Sequence, residues 1–164
     1  MAELTNLEEK LAEVTGLAMA AQVAGKKVEQ LTREENEDLA QTLQRMAQEA
    51  KETQERCEEL AGGFEGKKTA ILEEAREVKQ KATEMMETYL DDSADALDGF
   101  EFLTMAEAAE VGHWAVLEQL NSRASNRRLA EVIDWVKPIQ ERHFQEALGG
   151  AKTLAAEEDP AEPS

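Results

Sequence analysis

The stretch Leu103–Leu120, LTMAEAAEVGHWAVLEQL, decides the fold. Apolar residues recur in it every three or four positions, which is the spacing of one face of an α-helix. A carboxylate and an imidazole lie on the same face, and burying such groups is costly unless they are paired or bind a metal ion. The stretch therefore predicts a core-facing helix that carries a polar, functional site. The predicted face consists of Leu103, Ala106, Glu110, His113, Leu117 and Leu120.

The composition of the chain predicts an all-α fold. Of its 164 residues, 41% are hydrophobic and only 4% are aromatic. Ala, Leu, Glu, Gln and Lys are abundant, and all five are strong helix formers. The length suits one domain with a substantial core. We expect a helical domain over residues 1–150, followed by an acidic tail over residues 151–164 that has no apolar face and is disordered.

The charge of the chain argues against two classes of partner. Acidic residues number 36 and basic residues 18, which gives a net charge of −18. Such a surface repels nucleic-acid phosphates and anionic lipid headgroups, so we expect neither nucleic acid nor membrane as a partner. No uninterrupted apolar run reaches membrane-spanning length. The single cysteine, Cys57, excludes an internal disulfide and suits a reducing compartment, so a cytoplasmic location is expected.

Five helical segments are predicted from the periodicity of apolar residues and from helix-capping signals. Capping boxes at Thr5–Glu8, Thr32–Glu35 and Thr104–Glu107 open the first, second and fourth segments. Ser125-Asn126 forms a turn before the fifth segment. Residues 91–103 are expected to form a turn with a short helical piece. Short connections favour an antiparallel up-down bundle of four helices with one additional helix. The predicted segments are 5–30, 32–61 (ended by Gly62-Gly63), 66–90, 104–124 and 127–148 (ended by Gly149-Gly150).

The two histidines of the chain are predicted to meet across a hairpin. If the last two segments turn near residue 126, Glu110 and His113 lie level with Gln140 and His143, because a helix rises about 1.5 Å per residue. Glu-x-x-His on facing helices is typical of ferritin-like metal sites, which add one Glu from each of two further helices. The second segment offers Glu49 at the edge of its inner face. Its neighbour Glu52 is also a candidate, although a solvated position is the simpler interpretation.

The chain resembles a ferritin-like family of small bacterial stress-associated proteins, the YciE/YciF-like group. Glu52–Phe64 is similar to the second-helix pattern of that family, and Glu110–Leu120 is similar to its fourth-helix motif. The resemblance implies a ferritin-like four-helix core, dimerisation, and a di-iron or di-manganese site linked to stress. It also implies ligands that this chain lacks, so a single-metal site and a site that has lost its metal both stay open. The family pattern would place His near Glu49, a carboxylate near Ala21, a second carboxylate at His113, and acids at Gln140 and Gln145.

Two functions therefore remain as hypotheses, and the sequence does not decide whether the chain is an enzyme. The first is a metal-binding bundle that handles iron, manganese or zinc, or protects against stress. The second is a non-catalytic interaction or scaffold protein, metal-free, whose histidines are neutral core residues. The small-residue face from Gly16 to Gly25 would then allow close helix packing, including across a homodimer or larger homo-oligomer. The candidate metal ligands are Glu49, Glu52, Glu110, His113, Gln140 and His143.

Overall fold

The computed structural model describes residues 2–163, and within them the chain forms five α-helices and no strand. The predicted all-α class is confirmed. None of these helices combines the length and the apolar composition that crossing a membrane requires. The helices are α1 (Asn6–Thr32), α2 (Glu37–Ala61), α3 (Lys68–Tyr89), α4 (Ala96–Ala124) and α5 (Arg127–Ala155).

The predicted starts of α1 and α5 are confirmed. The Thr5 hydroxyl accepts a hydrogen bond from the backbone N–H of Glu8, and the Glu8 carboxylate accepts one from the N–H of Thr5. The Asn126 side chain accepts from the backbone N–H of Leu129 at 3.0 Å. Each cap satisfies backbone donors that have no partner inside the helix. Just before α5, Ser125 adopts a left-handed conformation, with φ of 56°, which ends α4.

The predicted start of α2 is wrong. Thr32 is the last residue of α1, and its hydroxyl donates to the carbonyl oxygen of Val28 at 2.7 Å. Asn36 caps α2 instead, accepting from the backbone N–H of Leu39 at 3.0 Å. A threonine hydroxyl can bond backward to the preceding turn as well as forward to a helix start, so its residue type alone does not identify a cap.

The predicted start of α4 is wrong in the same way. Asp95 and Asp98 form a capping box, with hydrogen bonds of 2.9 and 3.0 Å, so the helix begins two turns before the predicted position. The Thr104 hydroxyl donates backward to the carbonyl oxygen of Phe100 at 2.7 Å. Glu107 is consequently not a capping residue but a side chain of the helix interior, and it is buried.

The predicted end of α5 at Leu148 is also wrong, because Gly149 and Gly150 lie inside the helix. A Cβ at Gly150 would collide with the ring of Phe100 on α4. The glycine thus allows two helices to approach closely and does not end the helix. Leu154 is buried beyond it, so residues 151–155 of the predicted tail are helical. Disorder of the remaining tail stays a prediction.

The five helices run alternately up and down, and α1 is the central one. It packs against α2, α3 and α4, and α5 packs against α4 and α2. The α1–α2 and α4–α5 hairpins are therefore joined by a connection that contains α3, on the outer side of α1. A Cβ at Gly16 would collide with Ala75 and Val78 of α3. Part of the small-residue face of α1, which the sequence offers to a partner subunit, is thus covered within the chain.

The core consists of two apolar clusters, one towards each end of the bundle. The first contains Leu11 of α1 and Trp114 of α4, and the second contains Val28 of α1 and Phe100 of α4. Polar side chains separate the clusters along three of the helices. We call this set the polar layer; it consists of Glu49 on α2, Glu107 and Glu110 on α4, and Gln140 and His143 on α5.

Candidate functional site

The face of α4 that enters the core differs from the predicted one. Leu103, Glu110 and Leu117 are buried as expected, but the residues between them are Glu107 and Trp114. The helix offers two faces that share those three residues, and the one with Trp114 buries the larger apolar area. Glu107, which the sequence interpretation assigned to a helix cap, is 3% exposed. The buried tryptophan was the sequence signal that could have identified it.

Glu107 and Glu110 form a buried pair of carboxyls one helical turn apart. The side-chain amide of Gln140 donates to Oε2 of Glu107. Burial raises the pKa of Glu107 to about 7. Burial, together with the charge of Glu107, raises the pKa of Glu110 well above its ordinary value. Two carboxylates at this separation repel each other, so a proton shared between them stabilises the pair at neutral pH.

His143 lies between two carboxylates of the polar layer and is 3% exposed. Its Nδ1 atom is 3.8 Å from Oε2 of Glu107, and its Nε2 atom is 3.5 Å from Oε1 of Glu49. Within residues 2–163, this Nε2 atom has no hydrogen-bond partner. Burial lowers the pKa of His143 below its ordinary value, and the nearby charge of Glu49 opposes that shift. The ring is therefore a neutral imidazole at neutral pH.

Glu49 is held by two arginines at the surface side of the layer. Nη1 of Arg45 lies 2.8 Å from Oε1 of Glu49, and Nη2 of Arg142 pairs with Oε2. Burial alone would raise the pKa of Glu49, but the hydrogen bonds from Arg142 and Arg45 outweigh it and leave the pKa below its ordinary value. Arg45 also reaches Glu146 at 2.5 Å. Glu49 is thus an ionised carboxylate with its charge already compensated.

The structure does not bring His113 and Glu52 into the polar layer. His113 lies at the edge of α4, where its Nδ1 atom is 3.1 Å from Oε1 of Glu13 and 3.3 Å from Nζ of Lys10. The predicted meeting of His113 with His143 is therefore wrong. The side chain of Glu52 is 48% exposed and pairs with Arg56 at the surface. Of the predicted candidates, Glu49, Glu110, Gln140 and His143 do lie in the layer.

The residues of the polar layer do not form a complete metal site as they are arranged. Among the described residues, no group of three or more His, Cys, Asp or Glu side chains is placed to hold a metal ion. His143 offers one free nitrogen, and Glu49 is the carboxylate next to it. The two arginines on Glu49 oppose a cation at that point by charge repulsion. On the other side of His143, Gln140 is a neutral side chain, and the proton that Glu107 and Glu110 share reduces the negative charge of that pair.

An apolar cavity of about 230 Å³ lies between α1, α3 and α4. It exists because α1 presents alanines there, while Met86 and Phe102 fill the space beside them. A dry cavity of about 150 Å³ in a protein core is enough to hold benzene, so this one can hold a larger ligand. Glu107, Glu110 and His113 are the titratable residues of its lining. The apolar wall consists of Leu17, Ala20, Ala21 and Ala24 of α1, Ala82, Met85 and Met86 of α3, and Phe102, Leu103, Met105, Ala106 and Ala109 of α4.

No protein-family model matches this chain. No curated protein matches it, and no solved structure matches it. The resemblance to the ferritin-like stress-associated family therefore stays a prediction.

Proposed function

We propose that this chain is a binding protein for a small, largely apolar molecule that occupies the cavity between α1, α3 and α4. One observation carries the proposal: the lining of an apolar cavity of about 230 Å³ includes two buried acidic residues, Glu107 and Glu110. Ligand sites are typically concave and mostly apolar, with a few polar groups that orient the ligand. Glu107 and Glu110 supply those groups here.

The energetic cost of the carboxyl pair supports the proposal. Burial of an ionisable group without an opposite charge destabilises the fold, and an apolar replacement at such a position is often neutral or stabilising. Titratable groups with strongly shifted pKa values in a cleft are candidates for a functional role. Glu107 and Glu110 fit that description, because burial is the largest cause of both shifts and both residues line the cavity.

Methionine methyl groups provide a direct test of ligand binding. Met85, Met86 and Met105 line the cavity, whereas Met46 is buried in the apolar cluster around Val28 and Phe100 and does not line it. Phenethyl alcohol combines an aromatic ring, which methionine sulfur contacts favourably, with a neutral polar group. Titration of this alcohol is expected to give saturable NMR shifts of the three cavity methyls and little shift of Met46.

A cavity-filling variant and a matched control make that test decisive. Ala21→Leu places a larger side chain in the cavity and is expected to abolish the saturable shifts. Ala115→Leu makes the same replacement at an exposed position of α4 outside the cavity, and binding is expected to persist. Absence of saturable shifts in the unmodified protein, or unchanged binding in Ala21→Leu, would overturn the proposal.

Metal binding in a ferritin-like bundle is the second candidate function. One atom favours it, namely Nε2 of His143, which is buried next to Glu49 without a hydrogen-bond partner in the described chain. The connectivity also supports a ferritin-like assignment, since such folds join two helical hairpins by one long crossover. Here α3 lies in the connection between the α1–α2 and α4–α5 hairpins. Iron, manganese and zinc are the ions that imidazole and carboxylate ligands suit.

Metal binding and ligand binding are distinguished by their dependence on His143. Protein purified without chelators would be analysed for iron, manganese and zinc, and its thermal midpoint recorded with each ion added as Fe(II), Mn(II) or Zn(II). A metal site predicts stoichiometric metal that is lost in His143→Gln but kept in His113→Gln. Metal-free protein whose midpoint ignores all three ions would exclude this candidate and leave the cavity proposal untouched.

We also propose that the chain forms a homodimer. Met85, Tyr89 and Met105 are exposed apolar side chains on α3 and α4, beside the cavity. A homodimer that buries them would account for their exposure in the single chain. Sedimentation equilibrium measures this directly, and a monomeric mass over the accessible concentration range would contradict it.

A further inference from the structure

Within residues 2–163, no Lys or Arg side chain pairs with either of the two carboxyls that line the cavity, Glu107 and Glu110. None of the residues that line the cavity is Lys or Arg. The arginines of the polar layer, Arg45 and Arg142, both pair with Glu49 instead. The lining of the cavity therefore includes an acid pair whose negative charge no Lys or Arg of the described chain compensates.

The hydrogen-bonding capacity of the pair is also unfilled. Gln140 supplies the amide N–H groups that reach these carboxyls, but each ionised carboxylate can accept about four hydrogen bonds. An ammonium group has three N–H donors and a positive charge, so it could bond to both carboxylates at once. An anionic ligand would be repelled. The net charge of −18 also favours the approach of cations over that of anions.

We infer that the ligand of this cavity is a protonated primary amine with a small apolar body, whose ammonium group binds between Glu107 and Glu110. This inference rests on the proposed function, because it specifies the chemistry of the molecule that occupies the same cavity. The apolar body lies against the alanines of α1 and the methionines of α3 and α4, and the ammonium group replaces the proton that the carboxyls share. Binding therefore releases a proton.

The release of a proton makes amine affinity depend on pH. Burial holds the pKa of Glu107 at about 7 and raises that of Glu110 well above its ordinary value, so the pair changes from two bound protons to one shared proton between about pH 6 and pH 8, where a primary amine stays protonated. Other titratable groups near the cavity can also change the affinity for an amine relative to that for an alcohol as the pH changes. These groups are His113 and the neighbouring Glu13 and Lys10 on one side, and His143, Glu49, Glu146, Arg45 and Arg142 on the other; the α1 and α3 walls of the cavity carry no charged residue.

Phenethylamine and phenethyl alcohol test the inference, because they differ only in the group that would reach the carboxyls. At about pH 8, the amine is expected to bind at least about tenfold more tightly than the alcohol, since charge-assisted hydrogen bonds are the stronger ones. The ratio of the two affinities is expected to fall towards about pH 6 as the pair takes up a second proton, which the amine must also displace. Calorimetry in two buffers of different ionisation enthalpy measures the number of protons released.

Two variants assign the preference to the carboxyl pair. In Glu110→Gln one of the two carboxylates is lost, so the ratio of amine to alcohol affinity is expected to fall and its pH dependence to flatten. Glu118→Gln changes a half-buried residue of the same helix that does not line the cavity and pairs with Lys137, and the ratio is expected to persist. Equal binding of amine and alcohol at both pH values would overturn the inference and retain the proposed function. Binding of neither compound would overturn both.

Discussion

The ring of Phe100 on α4 lies in the space that a side chain at Gly150 on α5 would need. The neighbouring Gly149 is exposed, and no described atom lies within 4 Å of the point where its Cβ would be. Two adjacent glycines of α5 thus differ in their surroundings. Gly150 is required by the packing of α5 against α4, whereas no neighbouring helix requires Gly149, which only lowers the stability of α5.

Alanine substitutions at these two glycines are expected to have opposite effects on stability. Gly150→Ala forces the Phe100 ring to move and is expected to lower the free energy of unfolding by about 1–3 kcal/mol. Gly149→Ala replaces a flexible residue in a helix interior and is expected to raise it by about 0.5–1 kcal/mol. Urea denaturation followed by circular dichroism measures both. Equal effects of the two substitutions would contradict the packing of α5 against α4.

Removal of one buried carboxyl is expected to change how stability depends on pH. A group whose pKa is raised in the folded state contributes stability that is complete below its unfolded pKa and lost as pH rises through its folded pKa. For Glu107 that window runs from 4.5 to about 7. Glu110→Gln removes the charge repulsion from this pair. Relative to the unmodified protein, the variant should therefore gain on the order of 1–3 kcal/mol from about pH 5 to pH 8. A constant difference across this range would contradict the shared proton.

Glu49 is expected to control the titration of His143. The charge of Glu49 partly offsets the effect of burial, which lowers the pKa of His143. Glu49→Gln removes that charge and leaves two arginines nearby, so the pKa of His143 is expected to fall further. NMR titration of the imidazole resonances measures the change. Glu52→Gln, at an exposed position outside the polar layer, should leave the titration unchanged, and a rise in the pKa of His143 after Glu49→Gln would contradict its placement.

Cys57 is expected to be inert in the folded protein. The thiol is fully buried in the apolar cluster around Leu11 and Trp114, and burial raises its pKa to about 12. Because the thiolate is the reactive form, an aromatic disulfide reagent should modify the native protein only at the rate of unfolding. Addition of denaturant should restore rapid reaction of one thiol per chain. Rapid modification without denaturant would contradict this burial.

Local patterns in the sequence predict the helices of this bundle well, because they depend on neighbouring residues. The cap at Thr5 and the turn at Ser125-Asn126 need only side chains within one turn of the helix end. The sequence predicts the wrong roles for Gly150 and Thr104. The role of Gly150 depends on the ring of Phe100, which lies on another helix, and the Thr104 hydroxyl bonds to the carbonyl oxygen of Phe100 one turn back. A residue type that suits both a helix end and a helix interior does not reveal which of the two it occupies.

The candidate site could be predicted only in part for a related reason. Glu110 and His143 can be predicted because each lies on an apolar face, and Gln140 can be predicted because it precedes His143 by about one helical turn. The sequence places His113 in the core and Glu107 outside it, and the structure shows the reverse. Two faces of α4 are possible because both contain Leu103, Glu110 and Leu117, and only the large side chain of Trp114 favours the face that contains Glu107. The cavity could not be predicted at all. It depends on where α3 lies against α1, and that placement follows from contacts between distant parts of the chain.

The polar layer between the two apolar clusters also specifies the register of the helices. Sliding α4 along α5 by one turn, about 5.4 Å, would separate Glu107 from Gln140 and move carboxyls towards leucine and valine side chains. A bundle whose facing residues are all apolar has no such penalty, and several offsets of its helices would be close in energy. The carboxyls that make this core less stable at neutral pH therefore select a single alignment of its helices.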